Sequence, residues 1–269
     1  MNQMLKAISI TDNVKDWLEN SQQPKILHIF DEVCNLINEK KEILSIVNKE
    51  IGNGPFNLVI EEQVLFSKHI DVDSKISIED NQLRIGDLAI SFAYTQDWNP
   101  MPKWEVLKKN KNEIINRLSL LQMDIENESI LQFSNLLSNA IIKTDIPIIK
   151  NISSKLAGLG IGLTPAGDDF LMGAMHAAWM IHSESDAKKI TEEIANIATP
   201  LTTSLSGAWL RSAAKGEAGE LWHEFFDALI KDDNVYLPMS KILSVGETSG
   251  SDALTGFFSV INEYSSSFS

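Results

Sequence analysis

This sequence has almost no sulfur chemistry and little positive charge. Cys34 is the only cysteine in 269 residues, which excludes an internal disulfide or a cysteine-based metal cluster and fits a reducing cytoplasm. Lys and Arg number 23 against 37 Asp and Glu, a formal net charge of −14. That excess opposes long-range attraction to nucleic acid or to an anionic membrane surface, so neither is expected as a partner. Long apolar runs are also missing. The most apolar stretch, Phe170 to Ile181, is shorter than the ~20 residues that a bilayer requires. The first residues lead straight into Asp12, Lys15, Asp16 and Glu19 with no apolar segment or small-residue cleavage site, so no secretory signal is expected. No internal repeat is visible, and the one low-complexity stretch, Ser265 to Ser269, is expected to fray.

What is present is enough apolar material, 43% of the residues, to bury a core in one large or two small domains. Between Pro24 and Tyr94 short apolar or alternating runs (Ile26–Phe30, Ile43–Val47, Phe56–Ile60, Ile76–Ile78, Leu83–Ile85, Leu88–Phe92) are separated by turn residues. Asn53-Gly54-Pro55, Glu79-Asp80-Asn81 and Gly86-Asp87 supply the clearest turns. They describe a small antiparallel sheet or barrel, with Asp31 to Lys41 undecided between helix and strand. After Trp98-Asn99-Pro100-Met101-Pro102 the period turns helical. Apolar stripes run through Trp104 to Leu121, Ile130 to Ile141 (with Asn127 as a start signal), Ala187 to Ile197, Leu221 to Leu229 and Leu254 to Ile261. The expected fold class is α+β, with a mainly β region over residues 1–102 and a helical bundle over 103–269. Phe170 to Ile181, apolar all round, belongs at the bundle centre.

The most informative stretch stands in front of that helix: Gly158-Leu159-Gly160-Ile161-Gly162-Leu163-Thr164-Pro165-Ala166-Gly167-Asp168-Asp169. Thr164 is placed to cap, Pro165 fits the first helical position, and the Asp pair meets the positive end of the helix. The alternating glycines allow positive φ and let N–H groups converge on an anion. Two carboxylates would repel that anion, and a divalent metal such as Mg²⁺ on Asp168 and Asp169 would reconcile the two. The stretch lacks the Lys-Ser/Thr of a P-loop and the glycine spacing of a dinucleotide fingerprint. A tight turn with a well-capped helix is the plainer alternative. If the Asp pair serves a ligand, Asp168→Asn or Asp169→Asn abolishes binding and keeps the melting temperature within a few degrees; if it caps, folding suffers instead.

Two further hydroxyl-rich stretches precede helices. Thr202-Thr203-Ser204-Leu205-Ser206-Gly207 leads into Trp209, Leu210 and Arg211, and Gly246-Glu247-Thr248-Ser249-Gly250-Ser251-Asp252 leads into the last helix. Each alone reads as a cap. Together they could aim three helix N-termini at one pocket for a carboxylate, phosphate or carbamoyl group, placing Gly162, Ser206 and Ser249 around it. Arg211 could neutralise an anion there, with an ordinary ion pair as the alternative. Glu217 is either part of that site or a solvated helix start. His176, two helical turns after Asp169, is expected to be a core histidine.

Gly-Leu-Gly-x-Gly-Leu-Thr-Pro-x-Gly-Asp-Asp-Phe-Leu resembles the signature of a bacterial family, long described as of unknown function or as putative carboxylases, that includes the AllH subunit of oxamate carbamoyltransferase. Thr202, Thr203, Ser206, Gly216 and Glu217 resemble the family's second polar block, and Thr248-Ser249-Gly250 with Asp252 its third. Gly54-Pro55-Phe56 is similar to the family as well. The resemblance implies participation, with partner subunits, in carbamoyl transfer between oxalurate and phosphate during purine (allantoin) catabolism. It carries no catalytic assignment. The residues themselves nominate Asp168 and Asp169 for chemistry or metal binding. For a small anionic metabolite they nominate Gly160, Gly162, Thr164, Gly167, Thr203, Ser206, Arg211, Glu217, Thr248, Ser249 and Asp252. Three readings follow: a carbamoyltransferase component, a non-catalytic assembly subunit, and a self-sufficient metal-assisted enzyme acting on a small phosphorylated or carboxylated metabolite.

Overall fold

The computed structural model describes residues 3–119, 121 and 128–267. The chain divides into two compact units, Met1–Pro100 and Met101–Ser269.

In the first unit β1 (Gln3–Ile10) and α1 (Asp12–Asn20) precede β2 (Lys25–Ile29), β3 (Val33–Ile37), β4 (Ile43–Asn48), β5 (Asn57–Ile60), β6 (Ile76–Glu79), β7 (Gln82–Ile85), β8 (Leu88–Ser91) and β9 (Gln96–Asp97). They form one nine-stranded, nearly closed barrel-like sheet in the order β2-β3-β4-β5-β1-β8-β7-β6, with β9 also on β1. The expected antiparallel sheet is mixed instead. β1 lies parallel to β8 and β9, and β4 parallel to β5. The β1 pairings arise because the N-terminal strand inserts between β5 and β8. Its alternation is plain in the structure, with Leu5 and Ala7 buried and Met4 and Lys6 exposed. The undecided segment resolves as β3, paired antiparallel with β2 and β4. β4 is buried along its whole length, as a strand covered on both faces must be. At the β6–β7 turn Asp80 and Asn81 both take positive φ, 49° and 57°, the geometry a two-residue hairpin demands. α1 is capped by Thr11 and buries Val14, Trp17 and Leu18.

The second unit contains α2 (Trp104–Lys109), α3 (Lys111–Leu118), α4 (Glu128–Ile142), α5 (Ile146–Leu156), α6 (Ala166–Ile181), α7 (Glu184–Ala198), α8 (Ser204–Ala214), α9 (Glu220–Lys231), α10 (Tyr236–Leu243) and α11 (Ser249–Ser266). The expected start at Asn127 lies outside the described residues. The Trp104 to Leu121 stripe is two helices, because the chain turns at Asn110. Ser265 and Ser266 extend α11 where fraying was expected.

α6 is the hub, buried at every residue from Gly167 to Ile181 except Met172. Helices α2, α4, α5, α7, α8 and α11 all pack against it. The α6–α11 approach is the closest and depends on glycine at the crossing. A Cβ on Gly173 would stand 1.7 Å from the Ala253 carbonyl oxygen, and one on Gly256 would stand 2.0 Å from that of Phe170. This approach fixes the start of α11 beside the start of α6. Phe225 and Phe257 meet edge-on nearby, at 5.7 Å and 84°, within an aromatic layer that includes Trp222 and Phe226.

Candidate functional site

Between α5 and α6 the chain makes a loop that glycine alone accommodates. Gly158, Gly160 and Gly162 have φ of 70°, 119° and 98°. Gly158 is also crowded, since a Cβ there would lie 2.6 Å from the Leu201 carbonyl oxygen, while one on Gly162 would meet nothing within 4 Å. The loop folds back over the start of α6, where the Gly167 N–H donates to Leu159 O at 2.8 Å. Among the described residues, the N–H groups of Gly160, Ile161, Gly162 and Leu163 donate to no protein acceptor, so the turn presents a row of free donors. Thr164 does not cap α6 as expected. Pro165 occupies the N-cap position and its carbonyl takes the Asp168 N–H, which leaves the Thr164 hydroxyl free to bond Ser249 Oγ at 2.9 Å.

The Asp pair divides its work. Asp168, 1% exposed, accepts the Gly158 N–H at 3.0 Å on Oδ1, and the hydroxyls of Ser206, at 2.9 Å, and Thr202 on Oδ2. It ties the glycine loop to the start of α8. Thr203 reinforces the tie by capping α8 through the Ser206 N–H at 3.0 Å and donating to Leu163 O at 2.6 Å. Asp169 turns toward α11, and its buried Oδ2 has no hydrogen-bond partner. Burial pushes the Asp169 carboxyl up to about 8; the nearby Ser249 and Thr164 hydroxyls pull it back, while the Asp252 and Asp168 charges raise it further.

Hydrogen bonds join some of the residues nominated from sequence across the loops: Asp168 with Ser206, Thr164 with Ser249, and Thr203 with Leu163 O. Gly160, Gly162, Thr164 and Gly167 lie on the first loop, Thr203 and Ser206 on the second, and Ser249 and buried Asp252 in the first turn of α11. The three loops meet around Asp168 and Asp169. Thr248 is the exposed N-cap of α11 and makes no side-chain capping bond. Arg211 stands in the last turn of α8 but reaches back along it, with Nη1 3.4 Å from where a Gly207 Cβ would be. Glu217 is placed elsewhere: it follows the far end of α8, about 16 Å from its start for an 11-residue helix. It is buried, where its plainer reading was a solvated helix start. Thr202 and the Gly158 N–H complete the Asp168 clamp. Thr202 stood in the same hydroxyl run, but its partner could not be read from spacing.

His176 is buried against Trp104, Trp222 and Phe226, the Trp222 ring 4.9 Å away. Burial, followed by the nearby His223, holds its imidazole down at about 3, neutral at pH 7. That is a core histidine. A concavity of about 490 Å³ lies at the Glu217 end of α8, lined by Met101, Trp104, Trp179, Lys188 and Lys215. That concavity lies at the end of α8 away from the carboxylates, whereas the buried carboxylates and the free N–H groups lie at the loops. We place the candidate site at the loops, because polar groups held at such desolvation cost call for a function more strongly than an open groove does.

Residues 156–261, which contain all three loops, match the family described as oxamate carbamoyltransferase subunit AllH, and residues 6–97 match the AllH family N-terminal domain. The chain belongs to the AllH family. No solved structure matches this AllH-family chain. Among the described residues no helix is long and apolar enough to cross a membrane.

Proposed function

We propose that this AllH-family chain is a subunit of an oxamate carbamoyltransferase and that the three-loop junction binds its small anionic substrate. The observation that carries this reading is the convergence of three helix-starting loops on one pair of buried carboxylates, all within the residues matched to the family. In the proposed reaction, a step of allantoin breakdown, a phosphate oxygen attacks the ureido carbonyl carbon of oxalurate. The bond from that carbon to the oxamate nitrogen then breaks, and the nitrogen takes up a proton. This chemistry needs a clamp on phosphate and donors aimed at the carbonyl oxygen more than it needs a protein nucleophile. The N–H row from Gly160 to Leu163 is of that kind, and the hydroxyls of Thr203 and Ser206, which donate within the protein, support it by holding the loops together. Asp168 holds the loops in register, and Asp169 is the carboxylate that faces the bound molecule. Other subunits complete the enzyme.

The test is reconstitution with the remaining subunits, following carbamoyl phosphate formed from oxalurate and phosphate. Ser249→Ala and Asp169→Asn are expected to lower kcat/KM by about a hundredfold, the scale of losing one oriented polar group, with the assembly intact. Full activity in both variants would remove the site from this junction.

A further inference from the structure

Each of the three loops carries one strongly exposed apolar side chain. Ile161 in the glycine loop is 95% exposed, Leu201 before α8 is 53% exposed, and Val245 before α11 is 44% exposed. The segments that bear them adjoin. The Gly158 backbone lies against the Leu201 carbonyl, Thr164 bonds Ser249, and the Gly250 N–H donates to Val245 O at 3.1 Å. At its exposure Ile161 buries almost none of its own side chain, so its apolar character serves no packing within the fold. Scattered apolar residues are ordinary on a surface, whereas a group on adjoining loops marks a contact.

The charge of these loops is one-sided. Residues 158–169, 199–207 and 244–252 hold Asp168, Asp169, Glu247 and Asp252 but no Lys, Arg or His. With the Asp169 carboxyl pushed up to about 8, three acidic groups remain at pH 7, and of these Glu247 is exposed. The bases that flank the loops are turned to other partners: Lys155 lies over the Phe133 ring, Lys241 pairs with Glu224 at 2.6 Å, and Arg211 is engaged within the chain. A bound anion adds further negative charge, and each helix N-terminus returns only about half a unit. The matching cation therefore comes from outside. A second copy of this chain is a poor source, because it carries the same −14 and would set Glu247 against like charge.

We propose that Ile161, Leu201 and Val245 form a docking surface for a different subunit of the enzyme, one whose face is basic and offers an apolar pocket to Ile161. This rests on the anion-site reading and names the partner of that site. An N–H row beside so exposed a side chain lies in water, where its donors hold an anion weakly and the carbonyl carbon of a substrate is open to hydrolysis. A subunit seated on the patch excludes that water and strengthens the polar contacts beneath it. Its Lys or Arg side chains meet Glu247 and supply the positive charge that the loops lack.

The test measures binding of the full chain to the remaining subunits by isothermal titration calorimetry at low and high salt. Binding that weakens with salt, and that Ile161→Ala, Leu201→Ala and Glu247→Lys each weaken by about tenfold or more, is the expected result. Leu136→Ala is the control, because Leu136 is 54% exposed, as Leu201 is, but lies on α4, which lends no residue to the loops. It should bind as the parent does. All four side chains are exposed, so each variant should keep the parent's circular dichroism. Parental affinity in Ile161→Ala overturns the proposal, as does the absence of any binding to the remaining subunits. A homodimer that Ile161→Ala dissociates in analytical ultracentrifugation also overturns it, with a second copy as the occupant. A phosphate titration separates this claim from the one beneath it. Phosphate bound at the loops with assembly indifferent to Ile161 removes the docking surface alone. Assembly that depends on Ile161, with no phosphate bound by chain or complex, removes the anion-site reading alone.

Discussion

Replacing Asp168 with alanine removes one acceptor that three donors share. Ser206 is 2% exposed, and its hydroxyl would be left in a dry site at a cost of about 1–3 kcal/mol. Thr202 and the Gly158 N–H are half-buried, so water can partly replace the carboxylate there, at about 1 kcal/mol each. The total is about 4 kcal/mol, roughly 8–16 °C of melting temperature for a unit of this size. Asp168→Asn keeps one acceptor oxygen but turns an amide N–H₂ toward a donor, and should lose about half as much. Urea unfolding followed by tryptophan fluorescence measures both. A cycle with Ser206→Ala isolates the shared bond, expected to couple at about 1–2 kcal/mol. If Asp168→Ala unfolds within ~0.5 kcal/mol of the parent, the clamp contributes nothing and Asp168 returns to the ligand role that its position in the sequence also allowed.

At the α6–α11 crossing, Gly173→Ala puts a methyl group 1.7 Å from the Ala253 carbonyl oxygen and should cost about 3 kcal/mol or more in urea unfolding. Gly162→Ala meets no atom within 4 Å, so only its φ of 98° is strained; about 1–2 kcal/mol is expected, and a loss as large as that at Gly173 would contradict the open loop. His176, held at about 3 in the fold against the ordinary imidazole value of 6.5, binds fewer protons folded than unfolded. Its stabilisation is therefore complete above pH 6.5 and fades as pH falls toward 3, at up to about 1.4 kcal/mol per unit. His176→Asn should remove that slope from the stability profile and retain substrate binding, and an unchanged slope would show that His176 is not the titrating group.

Local order was the legible part of this chain. Strands β2 and β4 to β8 announce themselves by short apolar runs between turn residues, and the positive φ of Asp80, Asn81 and Gly86 is what those turn sequences foretell. The central place of α6 follows from a face-less apolar run. β1 was missed because alternation through Met4, Leu5, Lys6 and Ala7 is brief and its parallel partner β8 is remote in sequence. Helix pairing was likewise hidden. Gly173 and Gly256 look like weak points of their own helices until the other helix is in place, when each becomes the only residue that fits. At the loops, residue types and the three-way grouping could be read from sequence. Their wiring could not, because Asp168 and Asp169 are adjacent in sequence yet answer different helices, and the Thr164 hydroxyl leaves its own helix to bond Ser249.

The claim on which the rest depends is that three loops form one anion site. Amide resonances of the isotopically labelled chain, followed during a phosphate titration, test it directly. Gly160 and Gly162, Ser206, and Ser249 and Gly250 should shift together along curves that fit a single Kd. Shifts confined to one loop, or separate constants for separate loops, would contradict the shared site.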